Sequence, residues 1–244
     1  MPINTSYDED AVIEAVAGGL DEFYTALIAK INELDIKEIM RRKNPYLFRA
    51  KAMLDATEIV KAVLAAFVSS SEETSFGKKF FEPVAAVAGQ SNWAITDGVD
   101  VMAERGDAIY AVAVKSGTSV FNSSSRKSQE RDFAKAMRQA NLAHKRCIPV
   151  VGYSYGRKKT TGRGQPKIYF ELAGQEFWYE LTGDDQFYIK LIRFMGNLPE
   201  RYVEEFEQAY QRATNRLVRE FTNEFCLADG RIDWEKLVEF NSGR

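Results

Sequence analysis

A chain of 244 residues with 45% hydrophobic content is long enough to form one well-cored domain. Its net charge of −2 excludes the global basic excess of a chromatin protein, so any nucleic acid must meet a local basic patch. Two cysteines without a CxxC pattern argue against a disulfide framework, and the single histidine, His144, excludes an HExxH zinc centre.

The N-terminal sequence MPINTSYDEDAVIEAV has no basic segment followed by an apolar run, so it does not predict a secretory signal. No apolar stretch of the chain approaches the roughly 20 residues that are needed to span a bilayer. We therefore expect a soluble protein that resides in the cytoplasm and does not interact with membranes.

The N-terminal part of the chain is predicted to be helical. Apolar residues recur at helical spacing over residues 8–40, and a second helix is predicted from Thr57 onwards. The serines of SSSEETSFG, Ser69 to Ser71, are candidates for helix N-caps. We therefore expect a break at these serines and a new helix that continues through KKFFEPVAAVAG.

The period then changes from that of a helix to that of β-strands. GVDVMAE and AIYAVAVK are rich in strand-forming residues around RGDA, which predicts a hairpin. SQERDFAKAMRQANLAHK returns to helical spacing, CIPVVGYSY and KIYFELAG predict two further strands, and the C-terminal region is mostly helical. This order predicts an α/β (α+β) fold, in which a mixed central sheet is flanked by helices.

The hairpin carries an acid and a lysine at places suited to phosphodiester hydrolysis. Asp100 begins its first strand and Lys115 ends its second, and strand pairing holds such groups in fixed relative positions. Mg²⁺ prefers oxygen ligands, so one or two carboxylates suffice beside a substrate phosphate and water. A neighbouring lysine can orient the attacking water and add positive charge. The pattern resembles the core of the PD-(D/E)XK nucleases, with GVD and AVK in place of the usual motifs.

Ala113 occupies the position at which such a core usually carries an acid. Side chains alternate along a strand, so residues 113 and 115 are expected to face the same side. Taken alone, the hairpin is as typical of an ordinary solvated surface as of a nuclease. However, Lys115 ends the apolar run VAVK, and a lysine is rarely buried without a partner.

The missing carboxylate can come from the preceding helix. In FGKKFFEPVA, Glu82 follows a glycine in a pattern similar to the Gly-x-x-Glu helix feature of several enzymes of that superfamily, with two residues added. Glu73 in SSSEETSFG is the competing candidate, although an acid in a first helical turn is equally explained by the helix dipole. Asp97 is a further alternative metal ligand, in the loop that leads to the strand.

Two polar and basic loops predict contacts with a DNA backbone. The first follows Lys115 and supplies small donors and cations, namely Ser116, Gly117, Asn122, Ser123, Ser124, Arg126 and Lys127. The second lies between the last two predicted strands and carries Arg157, Lys158, Lys159 and Arg163. Basic loops of this kind are also typical of ordinary solvated surfaces.

Several blocks spread along the chain resemble the PmeII-type type II restriction endonucleases. They are RRKNPYLFRAK, SSSEETSFG, VKSGTSVFNSSS, GQEFWYELTGD and GRIDWEKLVEFNSG, in the same order as in that family. The resemblance implies a Mg²⁺-dependent enzyme that cleaves double-stranded DNA, a homodimer on a short and often palindromic site, and a cognate methyltransferase acting on that site. In that family the lysine motif also tends to lack the usual acid, so Ala113 would be a family trait.

The preferred hypothesis is a type II restriction endonuclease. Asp100 and Glu82 would bind Mg²⁺ together with the carbonyl of Val114, and Lys115 would position the attacking water. The alternatives are a structure-specific DNA repair or recombination nuclease on the same core, and a catalytically degenerate DNA-binding module suggested by Ala113. We expect a single nuclease domain with an N-terminal helical arm (1–56), a catalytic core (57–172) and a C-terminal helical part (173–244).

Overall fold

The computed structural model describes residues 3, 6–93, 95–158 and 168–243. The helices are α1 (Glu9–Asn32), α2 (Ile36–Arg41), α3 (Pro45–Ala50), α4 (Ala56–Phe76), α5 (Glu82–Ala88), α6 (Ser123–Leu142), α7 (Gln175–Thr182), α8 (Phe187–Met195), α9 (Glu200–Phe225) and α10 (Trp234–Ser242). A π-helical turn, Gly77–Phe81, joins α4 to α5. The strands are β1 (Val101–Arg105), β2 (Ala108–Lys115), β3 (Arg146–Tyr153) and β4 (Phe170–Ala173).

The chain divides into two compact units, each described here by itself. The first comprises Met1–Phe23 and Glu73–Pro199, and the second comprises Tyr24–Glu72 and Glu200–Arg244. All four strands named above belong to the first unit. The second unit is helical, and it buries the apolar face of α9 at Leu217, Phe221 and Phe225. Within the described ranges, no helix is both long enough and apolar enough to cross a membrane.

The first unit is built on a mixed sheet with the strand order β1-β2-β3-β4. The predicted hairpin is confirmed, because β1 pairs with β2 in antiparallel orientation and Val101 lies opposite Val112. Its turn contains Gly106 at φ +60, a backbone conformation that favours glycine. β3 and β4 are both parallel to the strand before them. The C-terminal ends of β2, β3 and β4 therefore meet at one edge of the sheet.

Helices cover both faces of this sheet, which confirms the predicted fold class. On one face, the apolar side chains of β2 and β3 share a buried cluster with Phe133 and Ala136 of α6. On the other face, Gly152 of β3 lies against the ring of Phe177 in α7, and Gly89, which follows α5, lies against Val101. Because both faces are covered, the central strands β2 and β3 are apolar along most of their length, with their charged residues at the strand ends.

The predicted helix break at Ser69 to Ser71 is wrong. Helix α4 runs through these serines to Phe76, and the π turn and α5 extend it to Ala88. A serine cap stabilises a helix by only about 1 kcal/mol. Burial of an apolar helix face, here Val60, Leu64 and Val68, contributes more than the local preference of the serines.

Gly152 provides a test of the contact between β3 and α7. A Cβ atom at this position would overlap the ring of Phe177, so Gly152→Ala must displace a buried aromatic side chain. We expect it to lower the free energy of unfolding by about 1–3 kcal/mol, measured by urea denaturation followed by circular dichroism.

Gly18→Ala in α1 is the matched control, since a Cβ there has open space around it. Alanine is favoured over glycine inside a helix by roughly 1 kcal/mol, so this control is expected to be neutral or stabilising. Equal free energies of unfolding for the two variants would contradict the close packing of β3 on α7.

Candidate active site

Asp100 lies beside the C-terminal end of β2, where the pairing of β2 with β1 ends. Its backbone N–H donates to the carbonyl of Val112 at 2.8 Å, immediately before β1 begins. Its carboxylate accepts a hydrogen bond from the backbone N–H of Val114, with 2.7 Å between Oδ2 and N. The acid is therefore fixed to the strand that ends in Lys115, as the hairpin pattern predicts.

The backbone of Val114 faces this carboxylate. Alternate residues of a strand direct their backbone N–H and C=O groups to the same side. The backbone groups of Val112 are directed towards β1. Val114 lies beyond Val112, the last β2 residue that pairs with β1. Its carbonyl is therefore directed to the side of Asp100, past the end of the β1–β2 ladder.

Lys115 ends β2 with its backbone secured and its side chain half-buried. Its carbonyl accepts a hydrogen bond of 2.7 Å from the N–H of Ser154, which continues the pairing with β3. Its ammonium group has no ion-pair partner within the part of the chain that the structure describes. A half-buried cation without a protein partner is suited to binding an anion from solution.

Glu82 reaches the same place from the helix side. The N–H of Glu82 donates to the carbonyl of Gly77, which closes the π turn. This i to i+5 hydrogen bond stacks Glu82 above Gly77, and Gly77 lies against the hydroxyl of Ser116, the residue after Lys115. The π turn thus absorbs the added residues of the glycine–glutamate pattern and directs Glu82 towards the end of β2.

The two carboxylates and the lysine interact electrostatically. Burial raises the pKa of Glu82, and the neighbouring Asp100 carboxylate raises it further, whereas Lys115 and Lys78 lower it. Burial also raises the pKa of Asp100, against the opposing effects of Lys115, the Val114 N–H and Lys78. Both anionic forms are therefore disfavoured until positive charge is added between them.

These groups fit a hard divalent cation. Asp100, Glu82 and the Val114 carbonyl would supply oxygen donors, which are the ligands that Mg²⁺ prefers, and water and substrate oxygens would supply the others. No described residue donates a hydrogen bond to the Glu82 carboxylate, so its oxygens are free to bind a metal. Among the described residues there is no group of three or more His, Cys, Asp or Glu side chains that could hold a metal ion by themselves.

The competing acids have other partners. The carboxylate of Glu73, exposed on α4, accepts a hydrogen bond of 3.0 Å from the hydroxyl of Tyr155. The exposed carboxylate of Asp97 lies 3.8 Å from the ammonium of Lys135 on α6. The structure therefore brings Glu82, Asp100 and Lys115 together and gives Glu73 and Asp97 contacts of their own.

Ala113 is fully buried, in the cluster between the sheet and α6. An acid at this position would begin inside an apolar layer, where an unpaired charge is strongly disfavoured. The position at which the motif usually carries an acid is thus part of the core in this chain. The helix carboxylate lies beyond that layer, at the edge of the sheet.

Comparison with protein families identifies the chain. The family model for the type II restriction endonuclease EcoO109I matches residues 10–201, more than three quarters of the chain. The chain belongs to this family. The endonuclease is therefore a site-specific endodeoxyribonuclease of a restriction–modification system, and the predicted function is confirmed at this level. A comparison with curated proteins gave no match.

The predicted DNA-binding residues of the loop after Lys115 fall into two groups. Some stabilise the loop through contacts within the protein, and the others are exposed to solvent. The Asn122 side chain accepts a hydrogen bond from the N–H of Ser125, and the Ser125 hydroxyl accepts one from the N–H of Asn122, which forms a capping box for α6. Gly117 is buried under the ring of Tyr155, and Ser116 is half-buried against Gly77. These contacts stabilise the loop and its exit into α6.

The first turn of α6 is the exposed part of this loop. Ser123, Ser124 and Lys127 are exposed there, at the positive end of the helix dipole. The guanidinium of Arg126 lies 6.0 Å from the centroid of the Phe121 ring. Helix N-termini with exposed N–H groups and hydroxyls are suited to phosphate oxygens.

The second basic loop is only partly within the described residues. Arg157 is exposed, but Lys158 is held by an ion pair of 2.6 Å with Glu171 and a hydrogen bond of 3.0 Å to the Tyr153 hydroxyl. Lys158 is thus engaged by protein groups instead of facing solvent freely. Lys159 and Arg163 lie outside the described residues.

One residue near the carboxylates was not identified from the sequence. Lys78, on the π turn, lowers the pKa of both Glu82 and Asp100. Its spacing of four residues before Glu82 was visible in GKKFFE, because residues four apart share a helix face. The sequence offered two adjacent lysines there, and only the structure distinguishes them.

Burial of the Glu82 carboxylate is expected to lower the free energy of unfolding at neutral pH. Its raised pKa means that the free energy of unfolding is lowered once the pH exceeds the ordinary value of 4.5, since the unfolded chain then ionises more readily. In EDTA, Glu82→Gln is therefore expected to be more stable than the wild type at neutral pH. The difference should disappear when the pH falls below 4.5, as measured by thermal denaturation.

Added Mg²⁺ is expected to stabilise the wild type more than this variant, because a ligand that binds the folded state shifts the unfolding equilibrium. A Glu82→Gln variant that is less stable than the wild type at neutral pH in EDTA would contradict the strained position of this carboxylate.

Proposed function

We propose that this endonuclease hydrolyses both strands of DNA with Mg²⁺ held by Asp100, Glu82 and the carbonyl of Val114. Lys115 positions the attacking water. The observation that carries the proposal is the convergence of two mutually repelling, half-buried carboxylates with a lysine that has no ion-pair partner among the described residues. In a structural ion-pair network, the lysine would instead lie within hydrogen-bond distance of one of the acids.

Each residue has a distinct part in the proposed reaction. Mg²⁺, when bound, lowers the pKa of a water molecule and withdraws charge from the phosphoryl oxygens. Asp100 keeps one oxygen on the Val114 N–H, which fixes the orientation of the other. The Lys115 ammonium hydrogen bonds to the water and offsets the negative charge that develops on the phosphate. Glu82 supplies the second acid, the role that Ala113 cannot have.

We further propose that the exposed first turn of α6 binds the DNA backbone. Ser123, Ser124 and Lys127 are its contacts, and Ser116, Gly117 and Asn122 shape the loop that presents them. Arg126 and the exposed Arg157 add positive charge, whereas the charge of Lys158 is already paired with Glu171. The contribution of Lys159 and Arg163 stays a prediction from the sequence.

The wider biological setting is proposed from the family. We expect a cytoplasmic homodimer on a short, often palindromic site, since a two-fold symmetric enzyme places one active site on each strand. A cognate methyltransferase would protect the same site. The narrower PmeII-type relationship and the division into a helical arm (1–56), a catalytic core (57–172) and a C-terminal helical part (173–244) also stay predictions.

Asp100→Ala and Lys115→Ala are expected to abolish Mg²⁺-dependent cleavage while DNA binding persists. Loss of either group should lower the cleavage rate by roughly a hundredfold or more, as for other groups that stabilise developing charge. The measurement is digestion of a sequenced plasmid with Mg²⁺, followed by mapping of the ends. Wild-type protein should give discrete fragments. Full activity in either variant would exclude the assignment.

The helix carboxylate is tested by comparing Glu82→Gln with Glu73→Gln. Only Glu82 interacts with Asp100 and Lys115, whereas Glu73 bonds to Tyr155. Glu82→Gln should therefore lose most of the cleavage and require a higher Mg²⁺ concentration for what remains, and Glu73→Gln should retain most of the wild-type rate. The opposite order of the two cleavage rates would assign the metal to Glu73.

A further inference from the structure

Lys78 lies on the π turn that leads to Glu82, and its charge acts on both carboxylates. It follows Gly77, whose backbone lies against Ser116, and it precedes Glu82 by four residues, which is close to one turn of the helix. In the chain it therefore lies between the residue that approaches the end of β2 and the proposed metal-binding acid. This position is on the helix side of the site, whereas Lys115 approaches from the sheet.

The neighbouring lysine points elsewhere. The ammonium of Lys79 forms an ion pair of 3.1 Å with Glu22 on α1, and the Lys79 carbonyl lies close to Gly19 of the same helix. Consecutive residues of a helix do not share a face, so the pairing of Lys79 with α1 directs Lys78 away from it. The two lysines thus have the same chemistry and different surroundings.

Lys78 is exposed and, among the described residues, has no ion-pair partner. Its positive charge nevertheless acts on both Asp100 and Glu82. It is near the two acids without contacting either, so its ammonium can bind a further anion at the mouth of the site. When a divalent cation engages the two carboxylates, the remaining anion at this place is a phosphate of the substrate.

We propose that Lys78 is a phosphate-binding residue, which contacts the backbone of the cleaved DNA strand at the active site from the helix side. The proposal rests on the proposed function and deepens it, because it adds a second cation to the reacting phosphate. In this arrangement, Lys78 contacts the DNA from the helix side of the site and Lys115 contacts it from the sheet side. Lys79 has no part in it.

The test compares Lys78→Ala, Lys78→Arg and the matched control Lys79→Ala. The probe is a short duplex that carries the mapped cleavage site, with Ca²⁺ in place of Mg²⁺ to prevent hydrolysis during binding. Each lost phosphate contact makes the slope of log K against log salt concentration less negative by about 0.9. We expect this change for Lys78→Ala only, and a wild-type slope for the other two variants.

The cleavage rate gives the second measurement. In single-turnover reactions with Mg²⁺ and saturating duplex, Lys78→Ala is expected to be slower by about tenfold, because one charge-assisted hydrogen bond to the phosphate is lost. Lys78→Arg should restore most of the rate, and Lys79→Ala should match the wild type. Surface ion pairs such as Lys79 with Glu22 contribute little to stability, so the control is expected to fold normally.

The outcomes separate this proposal from the proposed function. If the wild type cleaves and Lys78→Ala keeps the slope of Lys79→Ala, Lys78 does not contact phosphate and the proposal is overturned, whatever the cleavage rate. If the wild type does not cleave plasmid DNA with Mg²⁺ or Mn²⁺, the proposed function fails instead. A reduced slope together with a slower rate for Lys78→Ala alone supports the assignment.

Discussion

The hydrogen bond between the Val114 N–H and the Asp100 carboxylate holds the two halves of the site together. It joins the residue before β1 to the residue before Lys115, at the point where the β1–β2 ladder ends. The same geometry directs the Val114 carbonyl towards the acid. The placement of Asp100 beside the end of β2 therefore requires only that the hairpin pair in this register, which its two-residue turn at Gly106 fixes.

The π turn between α4 and α5 brings Glu82 to the candidate site. A regular α-helix from α4 to α5 would place Glu82 on a different face from Gly77, whereas the π turn stacks the two. Gly77 has no side chain, which lets the helix approach Ser116 at the end of β2. The result is a carboxylate that is half-buried beside another acid, a position that costs stability and that a bound cation would relieve.

Part of this arrangement was predictable from local patterns. The two runs of strand-forming residues around RGDA predicted the hairpin, and with it Asp100 and Lys115 at adjacent strand ends. The glycine–glutamate pattern favoured Glu82 over Glu73, but no local preference predicted the π turn that places Glu82 above Gly77. The capping role of Asn122 and the ion pair of Lys158 with Glu171 were also missed, because both depend on which groups lie nearby after folding.

The sequence by itself determined the order of helices and strands, the sheet with both faces buried, and the two residues at the strand ends. Periodicity encodes these features locally, and a hairpin brings its ends together without reference to the rest of the chain. Only the tertiary structure decided that Glu82 interacts with Asp100 and Lys115 while Glu73 bonds to Tyr155, that Ala113 is buried against α6, and that Lys79 is the one of two adjacent lysines that pairs with α1. These depend on how the π turn, α5 and α6 pack on the sheet, and such long-range contacts leave no periodic signal in the residues that make them.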